Sequence, residues 1–159
     1  MASAPIIDVN TLNLSQVIYG KEDILKCNPQ RYEFEQLDSI LTMNLETGIA
    51  AGCKVQKPDE FWIRGHIPGN PLMPGVLMIE MAAQVCSIFF HKKFGNESKK
   101  FFAFGGVDKI KFRGFVRPGD TLIMVIRAIN LRSRYAVYES QGFANGKMVF
   151  EGEITGVII

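Results

Sequence analysis

Polar and apolar residues alternate through residues 36–56, where Ile40, Leu41, Met43, Leu45, Ile49, Ala51 and Val55 are divided by a Glu46-Thr47-Gly48 turn. A period of two belongs to a strand with one buried face, so this stretch predicts a β-hairpin. The same period returns in residues 100–115, 121–131, 135–143 and 147–158. These runs are separated by Pro118-Gly119-Asp120, by Arg132-Ser133-Arg134 and by Asn145-Gly146, the last being the signature of a type I′ turn. Taken in order they predict an antiparallel meander.

Between the two strand regions the period is lost. Residues 76–94 contain no breaker and are apolar almost all round, interrupted mainly by Glu80 and Gln84. Good helix formers, with Pro74 at the first turn, predict a helix ending near Phe94-Gly95, and the missing polar face predicts that it is buried. A curved antiparallel sheet wrapped around one long helix is an α+β arrangement. A weaker helical spacing runs through residues 12–26, from Leu12, Leu14, Val17 and Ile18 to Ile24 and Leu25. Residues 57–75 are dense in Gly and Pro and predict the loop that feeds the long helix.

With 159 residues the chain suits a single domain, 1–159, with a variable N-terminal segment over 1–30. A net charge of +2, with no basic run, argues against a nucleic-acid partner. The N-terminus has neither the pattern of a signal peptide nor that of a transit peptide, and no apolar run is of membrane-spanning length. The three cysteines, Cys27, Cys53 and Cys86, have no metal-ligand or disulfide-framework spacing. A cytoplasmic protein without membrane insertion is expected.

A carboxylate on a buried apolar helix needs an explanation, and its neighbours supply one. The segment from Phe61 to Gln84 holds Gly65-His66, Pro68-Gly69, Pro71, Met73-Pro74-Gly75-Val76-Leu77, Glu80 and Ala83-Gln84. It closely resembles the signature of the β-hydroxyacyl-acyl carrier protein dehydratases of fatty-acid synthesis, which have the hot-dog fold. The similarity continues through Gly106-Val107-Asp108-Lys109, Phe112-Arg113, Pro118-Gly119-Asp120 and Asn145-Gly146-Lys147, and so covers roughly residues 30–155. It departs in two places. Family members often carry Pro-His-Arg-Tyr-Pro-Phe where this chain has Pro29-Gln30-Arg31-Tyr32-Glu33-Phe34, and often a Tyr, proposed to help close the acyl tunnel, where this chain has Ala103.

The resemblance implies dehydration of a (3R)-hydroxyacyl thioester on acyl carrier protein to the trans-2-enoyl product. It also implies a homodimer, or a trimer of dimers, in which the His of one subunit faces the acidic residue of the other. Elimination needs a base for the α-proton and an acid for the departing hydroxyl. His66 is expected as base and Glu80 as acid, with burial raising the Glu80 pKa so that it holds its proton. The amides of Gly75 and Val76 open the helix without intrahelical acceptors and suit a developing oxyanion. Gln84, one turn past Glu80, is either an ordinary helix-edge polar residue or a partner that orients the carboxyl. No cofactor or metal is expected.

The stretch from His91 to Arg134 is rich in base, including Lys92, Lys93, Lys99, Lys100, Lys109, Lys111, Arg113, Arg117, Arg132 and Arg134. It is either a basic rim that steers an acidic carrier or a set of scattered solvated side chains. His91 itself is read as a cation at the helix C-terminus. The Phe clusters at 89–90 and 101–104 are read as core, with some lining an acyl tunnel. Two other functions compete with dehydration, acyl thioester hydrolysis on the same fold and non-catalytic acyl binding. The resemblance also extends to a related dehydratase group that isomerises the product, but that group typically has Asp where this chain has Glu80, which favours dehydration alone.

Overall fold

The computed structural model describes residues 1–95 and 100–159. Its strands are β1 (Ser39–Asn44), β2 (Ile49–Val55), β3 (Phe102–Phe112), β4 (Thr121–Arg132), β5 (Tyr135–Ala144) and β6 (Lys147–Ile158), and its helices are α1 (Lys21–Cys27) and α2 (Gly75–Phe94). The strands form one six-stranded sheet in the order β1-β2-β4-β5-β6-β3. Each neighbouring pair is antiparallel. This is the α+β arrangement expected from the strand runs around one apolar helix, and the hot-dog fold that the family resemblance implies.

The predicted meander is only partly correct. Strands β4, β5 and β6 follow one another, but β3 pairs with β6 and not with β4. Pro118-Gly119-Asp120 is therefore not a hairpin turn. The Gly119 amide donates to the Gln56 carbonyl at 2.6 Å and the Gln56 amide to the Asp120 carbonyl at 2.9 Å, so the segment docks on the end of β2 and carries the chain across the sheet. The predicted helix over 12–26 is also shorter than its spacing suggested. Only Lys21–Cys27 is helical, because the chain turns at residues 14–15, where the Gln16 amide donates to the Asn13 carbonyl, and Tyr19 then forms a bridge with Ile40. At Asn145-Gly146 both residues have positive φ, 52° and 72°, as the type I′ turn requires.

Strand alternation divides the apolar side chains between two faces. Ala50, Leu122, Met124 and Ile126 face inward with Met78, Met81, Val85 and Phe89 of α2. Ala51, Val125 and Phe143 face outward, and the N-terminal residues Ile6, Ile7, Val9 and Leu12 cover them as a strap. Helix α2 is thus enclosed on its sheet side, which accounts for a helix with so little polar surface.

Candidate active site

The loop before α2 is held at several points. Trp62 is buried in the main core, the His66 amide donates to the Trp62 carbonyl at 2.8 Å, and the Met73 amide donates to the Val116 carbonyl at 2.8 Å. Ile67 and Gly69 both have positive φ, which reverses the chain just after His66. The His66 side chain, half-buried, places Nδ1 2.7 Å from the Leu72 carbonyl. A carbonyl oxygen only accepts, so Nδ1 carries a hydrogen, and in the neutral ring this leaves the lone pair on Nε2.

Glu80 lies in the second turn of α2 and is half-buried. Its own chain does not enclose it fully, contrary to what an apolar helix suggested, because the cleft beside it is open. Gln84 Nε2 donates to Glu80 Oε1 at 2.8 Å and to the Phe34 carbonyl at 2.6 Å. Gln84 Oε1 accepts from the Gln36 amide at 3.0 Å. Gln84 is therefore buried and bonded on every side, not a solvated residue at a helix edge. The sequence pointed to the contact with Glu80 but not to the backbone groups of Phe34 and Gln36, because main-chain partners leave no mark in residue identity.

Helix α2 begins at Gly75 with no side-chain cap at Pro74, and its first cap bond runs from the Leu77 amide to the Pro74 carbonyl. Among the described residues the Gly75 and Val76 amides have no acceptor, and the Val76 side chain is largely exposed. Free amides at a helix N-terminus favour negative charge.

The cleft beside Glu80 has a volume of about 240 Å³ and is lined by Gln30, Phe34, Ala83, Ser87, Ala103 and Phe104, among others. Of the three residues that depart from the family pattern, Gln30 and Ala103 line this one space, whereas Glu33 does not. Phe101 and Phe102 also line it, whereas Phe89 is fully buried in the core. His66 is not among the residues that line this cleft.

Elsewhere the expected charges are distributed differently. Lys109 pairs with Glu153, and Lys111 and Arg113 with Glu151, so these three do not form an unopposed basic rim. Lys92 sits over the Tyr19 ring, Lys93 donates to the Leu45 carbonyl, and Lys99 lies outside the described residues. His91 is buried and not a solvated cation; burial pushes its pKa down. Cys86 is fully buried, and burial holds its thiol well above the usual range. No helix among the described residues is long and apolar enough to cross a membrane.

The family model described as the FabA-like domain matches residues 28–153. A 3-hydroxyacyl-acyl-carrier-protein dehydratase FabZ from Caldicellulosiruptor saccharolyticus is 36% identical over 137 residues, which cover 86% of this chain and 96% of that protein. The same-named protein of Clostridioides difficile is 36% identical over 139 residues, covering 87% and 96%. Among solved structures, the dehydratase heterocomplex ApeI:P from Xenorhabdus doucetiae matches with a TM-score of 0.70 and 14% identity, over 84% of this chain and 89% of that one. A hypothetical thioesterase protein with coenzyme A from Streptococcus pneumoniae TIGR4 matches with a TM-score of 0.59 and 10% identity, over 76% and 84%. At those identities the two structures speak for the fold alone.

Proposed function

The chain belongs to the FabA-like domain family, and we propose that His66 and Glu80 carry out in it the reaction for which its relatives are named. That reaction is the dehydration of a 3-hydroxyacyl group on acyl carrier protein in fatty-acid biosynthesis, and this chain is a 3-hydroxyacyl-acyl-carrier-protein dehydratase.

In the proposed mechanism the thioester carbonyl lies against the Gly75 and Val76 amides. His66 Nε2 takes a proton from C2, and negative charge builds on the carbonyl oxygen toward those amides. Glu80, in its acid form, donates to the C3 hydroxyl, which leaves as water as the C2–C3 double bond forms. Gln84 holds Oε1 of the carboxyl and leaves Oε2 to face the substrate. The acyl tail runs into the cleft lined by Ala83, Ser87 and Ala103.

The observation that carries this reading is the oriented pair itself, a His with Nε2 left free by its Leu72 bond and a carboxyl fixed by a buried amide. The two groups meet, in this reading, across a homodimer. Strand β3 is a sheet edge eleven residues long, with Phe104, Val107 and Phe112 exposed along it. Such an edge is a template for pairing with a second copy. Ala103 and Phe104 of β3 also line the Glu80 cleft, so a copy seated there closes its open wall and can supply His66. In the same reading the protein works in the cytoplasm and receives its substrate there from the carrier protein.

The test is an enoyl-formation assay on 3-hydroxyacyl groups carried on acyl carrier protein. His66→Ala and Glu80→Gln are each expected to abolish turnover in folded protein. Near-normal enoyl formation by either variant overturns the assignment, and release of free carrier thiol without enoyl product would indicate hydrolysis.

A further inference from the structure

The end of β3 carries a contact that the mechanism above does not use. The ring of Phe112 lies against Gly75, so closely that a Cβ at Gly75 would come within 2.7 Å of its Cε1. Phe112 is nevertheless 51% exposed, and the other ring beside it is Phe150, 6.0 Å away between centroids. Within its own chain a ring so little enclosed is placed mainly by its backbone. The pairing of β3 with β6 shifts register between Asp108 and Lys111, just before this point, so the upstream ladder holds it less firmly.

What fixes the strand end lies on its other side. Successive side chains point to opposite faces, and Arg113 is directed away from Phe112. Its guanidinium donates to Glu151, while its amide donates to the Val149 carbonyl at 2.7 Å. Glu151 also accepts from the Ser3 amide at 3.0 Å and the Ser3 hydroxyl at 2.6 Å. Ser3 belongs to the N-terminal strap, which Gln141 ties down by accepting from the Ile6 amide at 2.8 Å and donating to the Ala4 carbonyl at 2.9 Å. The strap lies outside the region matched by the family model, which begins at residue 28.

We propose that Phe112 is a positioning residue of the thioester site, a wall that shields the Gly75 and Val76 amides from water, and that the Arg113–Glu151 pair and the strap hold it in place. The inference rests on the reading of those amides as oxyanion donors. Donors of this kind stabilise charge best where water is excluded and their geometry is fixed in advance.

Steady-state kinetics on carrier-bound substrate test it, with Phe112→Ala, Phe112→Leu, Glu151→Gln and a deletion of residues 1–7. Phe112→Ala is expected to lower kcat on the order of 100-fold while KM changes little, the scale set by small misplacements at reacting centres. Phe112→Leu restores part of the loss by restoring apolar cover. Glu151→Gln and the deletion lower kcat in the same direction by less. If Phe112→Ala does not fold, the leucine and glutamine variants carry the test.

The inference is overturned if the folded Phe112 and Glu151 variants keep kcat close to that of the parent. It is also overturned if they raise KM alone. His66→Ala and Glu80→Gln measured alongside separate the two levels. Turnover in those variants defeats the catalytic reading, whereas their loss beside intact Phe112 and Glu151 variants defeats only this inference.

Discussion

Gln84 Nε2 lies 2.8 Å from Glu80 Oε1, and the rest of the Gln84 amide group decides which way it faces. Its Oε1 accepts from the Gln36 backbone amide, which can only donate, so the NH₂ group must point to Glu80 and to the Phe34 carbonyl. The carboxyl is held by a donor that is itself fixed at both ends by main chain. That arrangement leads to the first prediction.

Gln84→Leu removes all three bonds and leaves the buried Gln36 amide, and the part-buried Phe34 carbonyl, without these partners. A loss of about 1–3 kcal/mol in stability is expected from such orphaned groups. In the folded fraction kcat should fall more than KM rises, because the carboxyl is no longer oriented. Gln84→Glu instead sets a second carboxyl beside Glu80, and like charge, which disfavours loss of the proton from the acid, should move the alkaline limb of the pH–rate profile upward. Urea unfolding and a kcat profile from pH 4 to 9 measure both effects.

Gly75→Ala is expected to disable the enzyme without unfolding it. The new Cβ meets the Phe112 ring within 2.7 Å, so either the ring or the helix start must shift. A loss in kcat on the order of 100-fold is expected from displaced oxyanion donors. Thermal melting should move by much less than a core cavity would cause, and circular dichroism alongside the enoyl assay checks the two together.

The Arg113–Glu151 pair makes stability depend on pH at the acid end. Hydrogen bonds from Arg113 and Ser3 pull the Glu151 pKa from 4.5 down to about 2. A depressed carboxylate contributes fully above its unfolded pKa, and the contribution is lost as pH falls through the folded one. Stability should therefore decline between about pH 4.5 and pH 2, and Glu151→Gln should flatten that decline while lowering stability at neutral pH. Melting temperatures taken across pH 2–7 for both proteins test the sign.

Ala103→Tyr should shorten the acyl chains accepted. Residue 103 lines the 240 Å³ cleft with Ala83 and Ser87, and a phenol ring there would occupy space that the tail needs. Each excluded methylene is worth about 1–3 kcal/mol, so the ratio of kcat/KM for long over short substrates is expected to fall about tenfold or more. An unchanged ratio would mean that the tail takes another route.

Much of the framework is legible in the sequence. The long helix ends at Phe94 because good helix formers stop at Gly95, and the Asn145-Gly146 turn follows from two residues that tolerate positive φ. The position of β3 is not legible, because strand period reports a buried face and not a neighbour. The pairing of β3 with β6, together with the bonds of Gln56 to Gly119 and Asp120, shows that the chain crosses the sheet there. At the site, His66 and Glu80 stand out in the sequence because they lie in the segment that resembles the dehydratase signature and because elimination needs a base and an acid, and Gln84 because it follows Glu80 by one helical turn. Their main-chain partners, Leu72, Phe34 and Gln36, do not, since every residue carries the same backbone. The burial of His91 escaped notice because two lysines follow it in sequence, whereas helical geometry turns it toward the core.

The central claim is that His66 of one subunit works with Glu80 of another. Mixing inactive His66→Ala with inactive Glu80→Gln under conditions that exchange subunits tests it most directly. A mixed dimer holds one doubly altered site and one site with both native groups, so enoyl formation should reappear at a fraction of the parent rate. Mixed dimers confirmed by mass and still inactive would contradict the shared site.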